Sequence, residues 1–185
     1  MSWSETSRAG RLAFVAAAFL ALSGCTAGPL YGDRQADLLE PGKATPASVR
    51  GHVTVAPVNS RAEQIVRNRL IFLLNGGGKP LEPLYEVRLT AAGSEGGVSI
   101  ESNGGVPTAS VYTLSTSYQL VRLSDASVID TGSRTISIPY DIPSAGGRSQ
   151  RFAAQRGAID AREQAGEQAA AQVELAVMSA IRRKG

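Results

Sequence analysis

The stretch that decides the fold is VYTLSTSYQLVR, residues 111–122, in which larger side chains alternate with smaller, mostly polar ones. A period of two predicts a β-strand, and we place this strand at 109–123. One of its faces carries Tyr112, Leu114, Thr116, Tyr118, Leu120 and Arg122. Residues 124–127 supply a turn, so residues 128–140 are predicted to return as the hairpin partner, with a bulge at Gly132.

A strand and a helix are predicted before this hairpin. Residues 52–58 alternate branched side chains with others and predict a first strand. Ser60 and Glu63 have the spacing of a capping box, so a helix is expected to begin at Arg61. It should end at residues 75–78, because consecutive glycines provide a left-handed C-cap and have low helix propensity.

The next strand is predicted at residues 84–91, where the polar side chains again occupy every second position. The glycine-rich stretch 92–105 predicts a loop, with a short strand at 98–100 as an interruption left open. Residues 149–183 are rich in Ala, Gln, Glu and Arg and predict a long helix. Small apolar residues form a stripe along it at Ala154, Ala158, Ala161, Ala165, Ala169, Val173, Ala176, Val177 and Ala180.

The order strand, helix, strands, helix predicts an α+β domain. It should contain about four mostly antiparallel strands, with two helices packed on one face of the sheet. The chain has 185 residues, of which 43% are hydrophobic and 19% charged. That composition excludes a wholly disordered chain, and 20 glycines without a regular period exclude a fibrous one.

The N-terminus has the pattern of an export signal. Arg8 and Arg11 precede an apolar run of about eleven residues, which in a helix is about 16 Å long and too short to cross a bilayer. Leu22-Ser23-Gly24-Cys25 then resembles a bacterial lipobox, which predicts residues 1–24 as a lipoprotein signal peptide. Cys25 is predicted to be acylated, by palmitate or similar chains, and to anchor the protein on a membrane.

The residue after this cysteine and the remaining composition refine that prediction. Thr26 stands where Asp is the usual signal for retention in the inner membrane, so we expect the outer membrane, on its periplasmic side. Residues 25–50 predict a lipidated tether, and residues 51–185 a single domain. Removing the signal lowers the side-chain charge from +3 to +2, so no nucleic-acid partner is expected.

Residues with catalytic chemistry are not grouped into a recognisable motif. His52 stands alone at the start of a strand, and the Gly-rich stretch 76–79 ends a helix where a phosphate-binding loop would begin one. The remaining carboxylates considered share no acid–base spacing: Glu101, Asp125, Asp130 and Asp141. We therefore predict no enzyme activity, no cofactor and no metal site.

Several segments, taken in order, resemble the LptE-type family of lipopolysaccharide-assembly lipoproteins of the Gram-negative outer membrane. They are the lipobox cysteine with Pro29-Leu30-Tyr31-Gly32, residues 61–84, the strand 112–123, and residues 151–156 with 160–165. Thr26-Ala27-Gly28 replaces the glycine and aromatic residue usual after the cysteine in that family. The likeness covers most of the chain after the signal.

This resemblance implies a non-enzymatic plug inside an LptD-type outer-membrane β-barrel, which helps the barrel assemble and contacts lipopolysaccharide in transit. Arginines suit the phosphates of lipid A because a guanidinium can bind two oxygens at once. By location, Arg88, Arg122 and Arg134 are the candidate lipopolysaccharide contacts. The alternative function is a free-standing periplasmic lipoprotein that carries a lipid or small molecule or serves a transporter as an accessory subunit.

Overall fold

A computed structural model describes residues 46–80, 82–100, 107–142 and 148–184. The elements are α1 (Pro46–Val49), β1 (Val53–Val55), α2 (Arg61–Asn75), β2 (Tyr85–Ile100), β3 (Pro107–Arg122), β4 (Val128–Asp141) and α3 (Arg148–Lys184). The strands form one sheet in the order β1-β2-β3-β4, in which β1 is parallel to β2 and the other neighbours are antiparallel. The predicted α+β architecture, mostly antiparallel, is confirmed.

Several predictions concern residues outside the described ranges. These are the signal peptide, Cys25, most of the tether and Glu101. The last residues of the predicted tether are described, and they form the one-turn helix α1, whose Val49 is buried in the core.

The predicted start and end of α2 are confirmed. The Ser60 hydroxyl accepts a hydrogen bond from the Glu63 backbone N–H at 3.2 Å, and the Ser60 N–H donates to the Glu63 carboxylate at 2.9 Å. At the other end Gly76 has the left-handed backbone conformation and its N–H donates to the Phe72 carbonyl. Both ends of α2 thus satisfy backbone groups that a helix leaves unpaired.

The predicted loop at 92–105 is wrong over its first part, because β2 continues without a break to Ile100. The register pairs Gly93 with Leu114 and Gly96 with Val111, so β3 supplies the hydrogen bonds that this glycine-rich segment lacks by propensity. A Cβ at Gly93 would overlap the hydroxyl end of Tyr112. Glycine here therefore makes room for a tyrosine of the neighbouring strand.

The predicted bulge at Gly132 is also wrong. The register between β3 and β4 shifts at Ile129, where Leu120 pairs with Asp130 and Val121 pairs with Val128. Gly132 pairs regularly with Tyr118, and a Cβ at Gly132 would lie 2.8 Å from the Tyr118 ring. This glycine is again the space that a tyrosine ring occupies.

Both helices lie on the same face of the sheet, as predicted. The helix α2 packs on β1 and β2, α3 packs on β3 and β4, and the two helices pack against each other. The alanine stripe of α3 provides its inner surface, with Ala161, Ala165 and Ala169 fully or almost fully buried. The core residues of the sheet are Val53, Val55, Tyr85, Val87, Leu89, Tyr112, Leu114, Tyr118, Leu120, Ile129 and Ile136.

Candidate functional site

None of the described elements covers the face of the sheet opposite the helices, which carries mostly hydroxyl side chains. We call it the open face, and it consists of four cross-strand rows: Arg88, Gln119 and Thr131; Thr90, Ser117 and Ser133; Ala92, Ser115 and Thr135; Ser94, Thr113 and Ser137. Each of these residues is exposed except Thr113, which is half-buried. Thr113 and Ser137 are joined by a hydrogen bond of 3.2 Å between their hydroxyls. Over these four rows the surface is therefore polar and almost uncharged.

The three arginines predicted as lipopolysaccharide contacts do not form one group. Arg88 lies on the open face, where its Nε donates to Glu86 at 2.6 Å. Arg122 and Arg134 pair with residues of the opposite, helix-covered face. Arg134 stands opposite Thr116, which is six residues, or about 20 Å of strand, from Arg122.

Each of the two arginines on the helix side has partners of its own. Arg122 donates from Nη2 to the Lys184 carbonyl at 2.7 Å and lies 3.6 Å from Asp125. The Arg134 guanidinium lies 5.9 Å from the centre of the Tyr118 ring and donates to the Ser133 carbonyl. Any phosphate bound by these side chains would have to share them with these contacts.

A tyrosine and a carboxylate form a polar pair between the sheet and the end of α3. The Tyr118 hydroxyl donates to Asp130 at 2.9 Å. Burial, together with this hydrogen bond, raises the pKa of Tyr118 above its usual value. The neutral tyrosine is thus favoured, and its hydroxyl is held as a hydrogen-bond donor to Asp130.

A second polar group lies at the opposite end of the sheet. Arg162 of α3 donates to the Glu95 carboxylate through Nε at 3.0 Å and through Nη2, and the Tyr140 hydroxyl donates to the same carboxylate at 3.2 Å. The bond to Glu95 raises the pKa of Arg162, and burial raises that of the neighbouring Tyr112. This group fastens α3 to the end of β2 that the sequence predicts as a loop.

A cavity of about 250 Å³ lies beside β1, the edge strand of the sheet. Arg67 of α2 donates to the carbonyls of Val55 and Ala56 at 3.3 and 2.9 Å, and Asn75 donates to the Val53 carbonyl at 2.7 Å. Side chains of α2 therefore occupy the acceptors that an added strand would use. The carbonyls of Val53 and Val55 are therefore not available to pair with an added strand.

The described part of the chain holds no group of three or more His, Cys, Asp or Glu residues that could bind a metal ion. His52 uses its Nδ1 to contact the Glu82 carbonyl at 2.7 Å. Within the described ranges, no helix has the length and apolarity needed to cross a bilayer.

Sequence reasoning missed the contacts that tie the helices to the sheet. The alternation of side chains along the two strands is enough to place Arg88 and Arg122 on opposite faces of the sheet. The ion pair between Glu95 and Arg162 could not be predicted, because it joins residues 67 positions apart. Nor does any local pattern indicate that Arg67 closes the edge of β1.

The fold is similar to that of a protein from Caulobacter crescentus CB15 that is named as a candidate lipoprotein. The TM-score is 0.59 and the identity 19%, over 75% of this chain and 96% of that chain. Rare lipoprotein B from Shewanella oneidensis has a TM-score of 0.45 at 14% identity, over 68% of this chain and 96% of its own. The minor lipoprotein from Acinetobacter baumannii has a TM-score of 0.46 at 11% identity, over 69% and 88% respectively.

No family model and no curated protein matches the chain. The TM-scores of the Shewanella and Acinetobacter proteins are too low to establish a shared fold. The chain shares the fold of the Caulobacter protein, a four-stranded mixed sheet with two helices on one face.

Proposed function

We propose that this protein is a lipoprotein that acylation of Cys25 anchors to the outer membrane, on the periplasmic side. The support is the apolar run that ends in a lipobox-like sequence and the fold shared with a candidate lipoprotein. Several acyl chains on one cysteine would hold the protein firmly, because each buried CH₂ contributes about 0.8 kcal/mol. Mass spectrometry of the N-terminal peptide from the membrane fraction tests this step directly.

We further propose that the domain plugs an LptD-type β-barrel, helps that barrel to assemble, and takes part in lipopolysaccharide transport and insertion. The open face is the observation that carries this proposal. The interior of a large outer-membrane barrel is polar, and a sheet that presents hydroxyl groups can exchange hydrogen bonds with such a wall without burying charge. A surface with one ion pair and nine Ser or Thr side chains has this chemistry.

Arg88, Arg122 and Arg134 remain the proposed lipopolysaccharide contacts within this function. Because Arg122 and Arg134 lie on the helix side and Arg88 on the open face, they are to be tested separately. Binding of lipopolysaccharide by the purified protein should weaken in Arg88→Ala, Arg122→Ala or Arg134→Ala if that arginine contacts phosphate. Variants that fold, assemble the barrel and bind lipopolysaccharide unchanged would remove these residues from the proposal.

Co-purification is the experiment that tests the barrel partner. Mild detergent extraction of the lipoprotein from its native membrane should recover a large β-barrel in equal amount. Absence of any barrel would refute the plug and leave the free-standing carrier.

A photo-crosslinking residue at Ser117 tests which face meets the barrel. Ser117 lies in the middle of the open face, and Gln168 is an exposed position on α3 that serves as the matched control. Crosslinks to the barrel are expected mainly from position 117. Crosslinks from position 168 alone would show that the helix layer, not the open face, forms the interface.

A further inference from the structure

One end of the domain brings together the end of α2 and the beginnings of β1 and β2. The Gly51 N–H donates to the Leu74 carbonyl at 3.2 Å, and the Leu84 N–H donates to the His52 carbonyl at 2.7 Å. The Leu123 N–H then donates to the Leu84 carbonyl at 2.9 Å, which adds the end of β3. We call this end of the molecule, where α2 and β3 end and β1 and β2 begin, the basic end, after the cations described below.

The last residues of α3 lie at the basic end as well. Lys184 accepts a hydrogen bond from Arg122 at its carbonyl and donates from Nζ to the Ile129 carbonyl at 2.9 Å. Because Ile129 is at the start of β4, these bonds join the C-terminus of α3 to the turn between β3 and β4. All of the basic end is thus built from elements that are directly bonded to one another.

Large apolar side chains are concentrated on this end. Of the described residues, seven large hydrophobic side chains are exposed, and four of them lie here: Phe72, Leu84, Leu123 and Val128, which are 41–55% exposed. The other three lie on α3, Phe152 and Ile159 near its start, toward the opposite end, and Leu175 nine residues before its last residue. Exposed apolar residues scattered singly are ordinary on a protein surface, whereas a group of four on one end indicates a contact.

The same end carries an excess of cations, which are Lys79, Arg122, Arg182, Arg183 and Lys184. The carboxylates that oppose them are Glu82, Asp125 and Asp130, of which Asp125 lies 3.6 Å from Arg122 and Asp130 accepts the Tyr118 hydroxyl, and Arg50 nearby is paired with Glu174. At the opposite end the charges are balanced, since Glu95, Asp141, Asp160 and Glu163 are matched in number by Arg148, Arg151, Arg156 and Arg162, of which Arg162 donates to Glu95. Exposed apolar side chains surrounded by cations suit an anionic lipid surface, into which the former insert while the latter meet headgroups.

The chain also enters the domain at the basic end. The His52 N–H donates to the Val49 carbonyl at 2.9 Å, and Val49 is only 24 positions after Cys25. An acyl anchor on Cys25 would therefore be connected to the molecule at the end that carries the apolar and basic side chains.

We propose that the basic end docks on the anionic phospholipid surface to which the protein is anchored, with the exposed apolar side chains at the level of the headgroups. This inference rests on the anchoring part of the proposed function and concerns the lipoprotein before a barrel joins it. It adds an orientation: the strands stand upright on the leaflet instead of lying along it.

A single introduced cysteine tests this contact in the acylated protein. Because Cys25 is the only cysteine and acylation blocks its sulfur, Leu123→Cys and Ile159→Cys each provide one thiol for an environment-sensitive fluorophore. The labelled proteins are placed in vesicles of phosphatidylethanolamine and phosphatidylglycerol that contain lipids with a quencher at the headgroup. Strong quenching at position 123 and little at 159 is expected. Equal quenching at both positions, or none at 123, would overturn the docking.

Removal of cations gives an independent measurement. An exposed Lys or Arg close to an anionic leaflet shifts a docking equilibrium about fivefold, so R182Q/R183Q should reduce the docked-to-undocked ratio about 25-fold. Arg156→Gln, a change of the same kind near the start of α3, is the control and should leave quenching at position 123 unchanged. Equal effects of the two variants would contradict an electrostatic contact at the basic end.

The two proposals fail in distinguishable ways. Acylated protein that floats with the vesicles but shows no quenching at position 123 overturns the docking and leaves the anchor intact. Protein that is recovered from cells without acyl chains overturns the anchor, and the docking with it.

Discussion

Two glycine-to-alanine substitutions in α3 should change stability in opposite directions. Gly166 faces α2, where a Cβ would overlap the Ile65 Cγ2 atom and lie 3.2 Å from the Ile65 Cβ. Gly157 lies near the end of the sheet, where a Cβ would meet the Tyr140 ring at 3.6 Å and the Asp141 carbonyl at 3.7 Å. The first site has no room for a methyl group, and the second offers ordinary contacts.

The magnitudes follow from two terms. In a helix interior, alanine is favoured over glycine by about 1 kcal/mol, so Gly157→Ala should stabilise the protein by about that amount. Gly166→Ala gains the same propensity, but overpacking costs about 1–3 kcal/mol. The upper part of that range applies, because Ile65 is β-branched and has essentially one χ1 rotamer in a helix, so its Cγ2 cannot swing away. We expect a net loss of about 1–2 kcal/mol.

Thermal and urea unfolding of the purified variants measure this difference. For a chain of this size, 1 kcal/mol corresponds to about 2–4 °C in Tm, so Gly157→Ala should melt about 2–4 °C higher and Gly166→Ala about 2–8 °C lower. The Ile65→Ala background removes the obstructing methyl, and there Gly166→Ala should no longer destabilise. If Gly166→Ala stabilises the original protein as much as Gly157→Ala does, the close packing of α2 on α3 is refuted.

Three further substitutions test individual contacts. The hydrogen bonds from Ser60 lower the pKa of Glu63. The stability that they contribute is present above the ordinary carboxyl pKa and is lost as the pH falls through the lowered value. The difference in unfolding free energy between the original protein and Glu63→Gln should therefore shrink below about pH 4.5. The pKa of Tyr118 is raised, so the stability that its neutral form contributes is present up to about pH 10 and is lost at higher pH. Tyr118→Phe loses the hydrogen bond to Asp130, and its alkaline absorbance titration should lack one late-titrating phenol. Arg67→Ala leaves two carbonyls at the edge of β1 without their donor, and urea unfolding should show a loss of about 1–3 kcal/mol.

The hairpin and α2 could be predicted from the sequence because their signals are local. The alternation at 111–122 and the capping box of Ser60 and Glu63 each lie within a dozen residues, and the structure confirms both. The extension of β2 through Gly93 could not be predicted, because local propensity indicates a loop. Pairing with β3 and the space needed by Tyr112 override that propensity, and both come from residues about twenty positions away.

The same distinction applies to the candidate site. The polarity of the open face follows from the period of two, since every second residue of β3 and β4 is Ser, Thr or Gln over most of their length. The partners of Arg122 and Arg134 do not follow from any period. Arg122 contacts the last helical residue, 62 positions later in the chain, and such a contact depends on how α3 lies across the sheet.

The two proposed surfaces constrain each other through the direction of the strands. β2 begins at the basic end and β3 ends there, so their sixteen residues run away from it for about 50 Å. If the basic end rests on the leaflet, the open face stands roughly perpendicular to the membrane. That is the direction in which a barrel wall rises, with its strands tilted about 35–45° from the membrane normal. A sheet lying with its open face on the lipid would instead bury its hydroxyl groups against headgroups and leave no room for a barrel wall on that face. Quenching at position 123 together with barrel crosslinks from position 117 would therefore support one orientation, whereas crosslinks from 117 without quenching at 123 would require a different one.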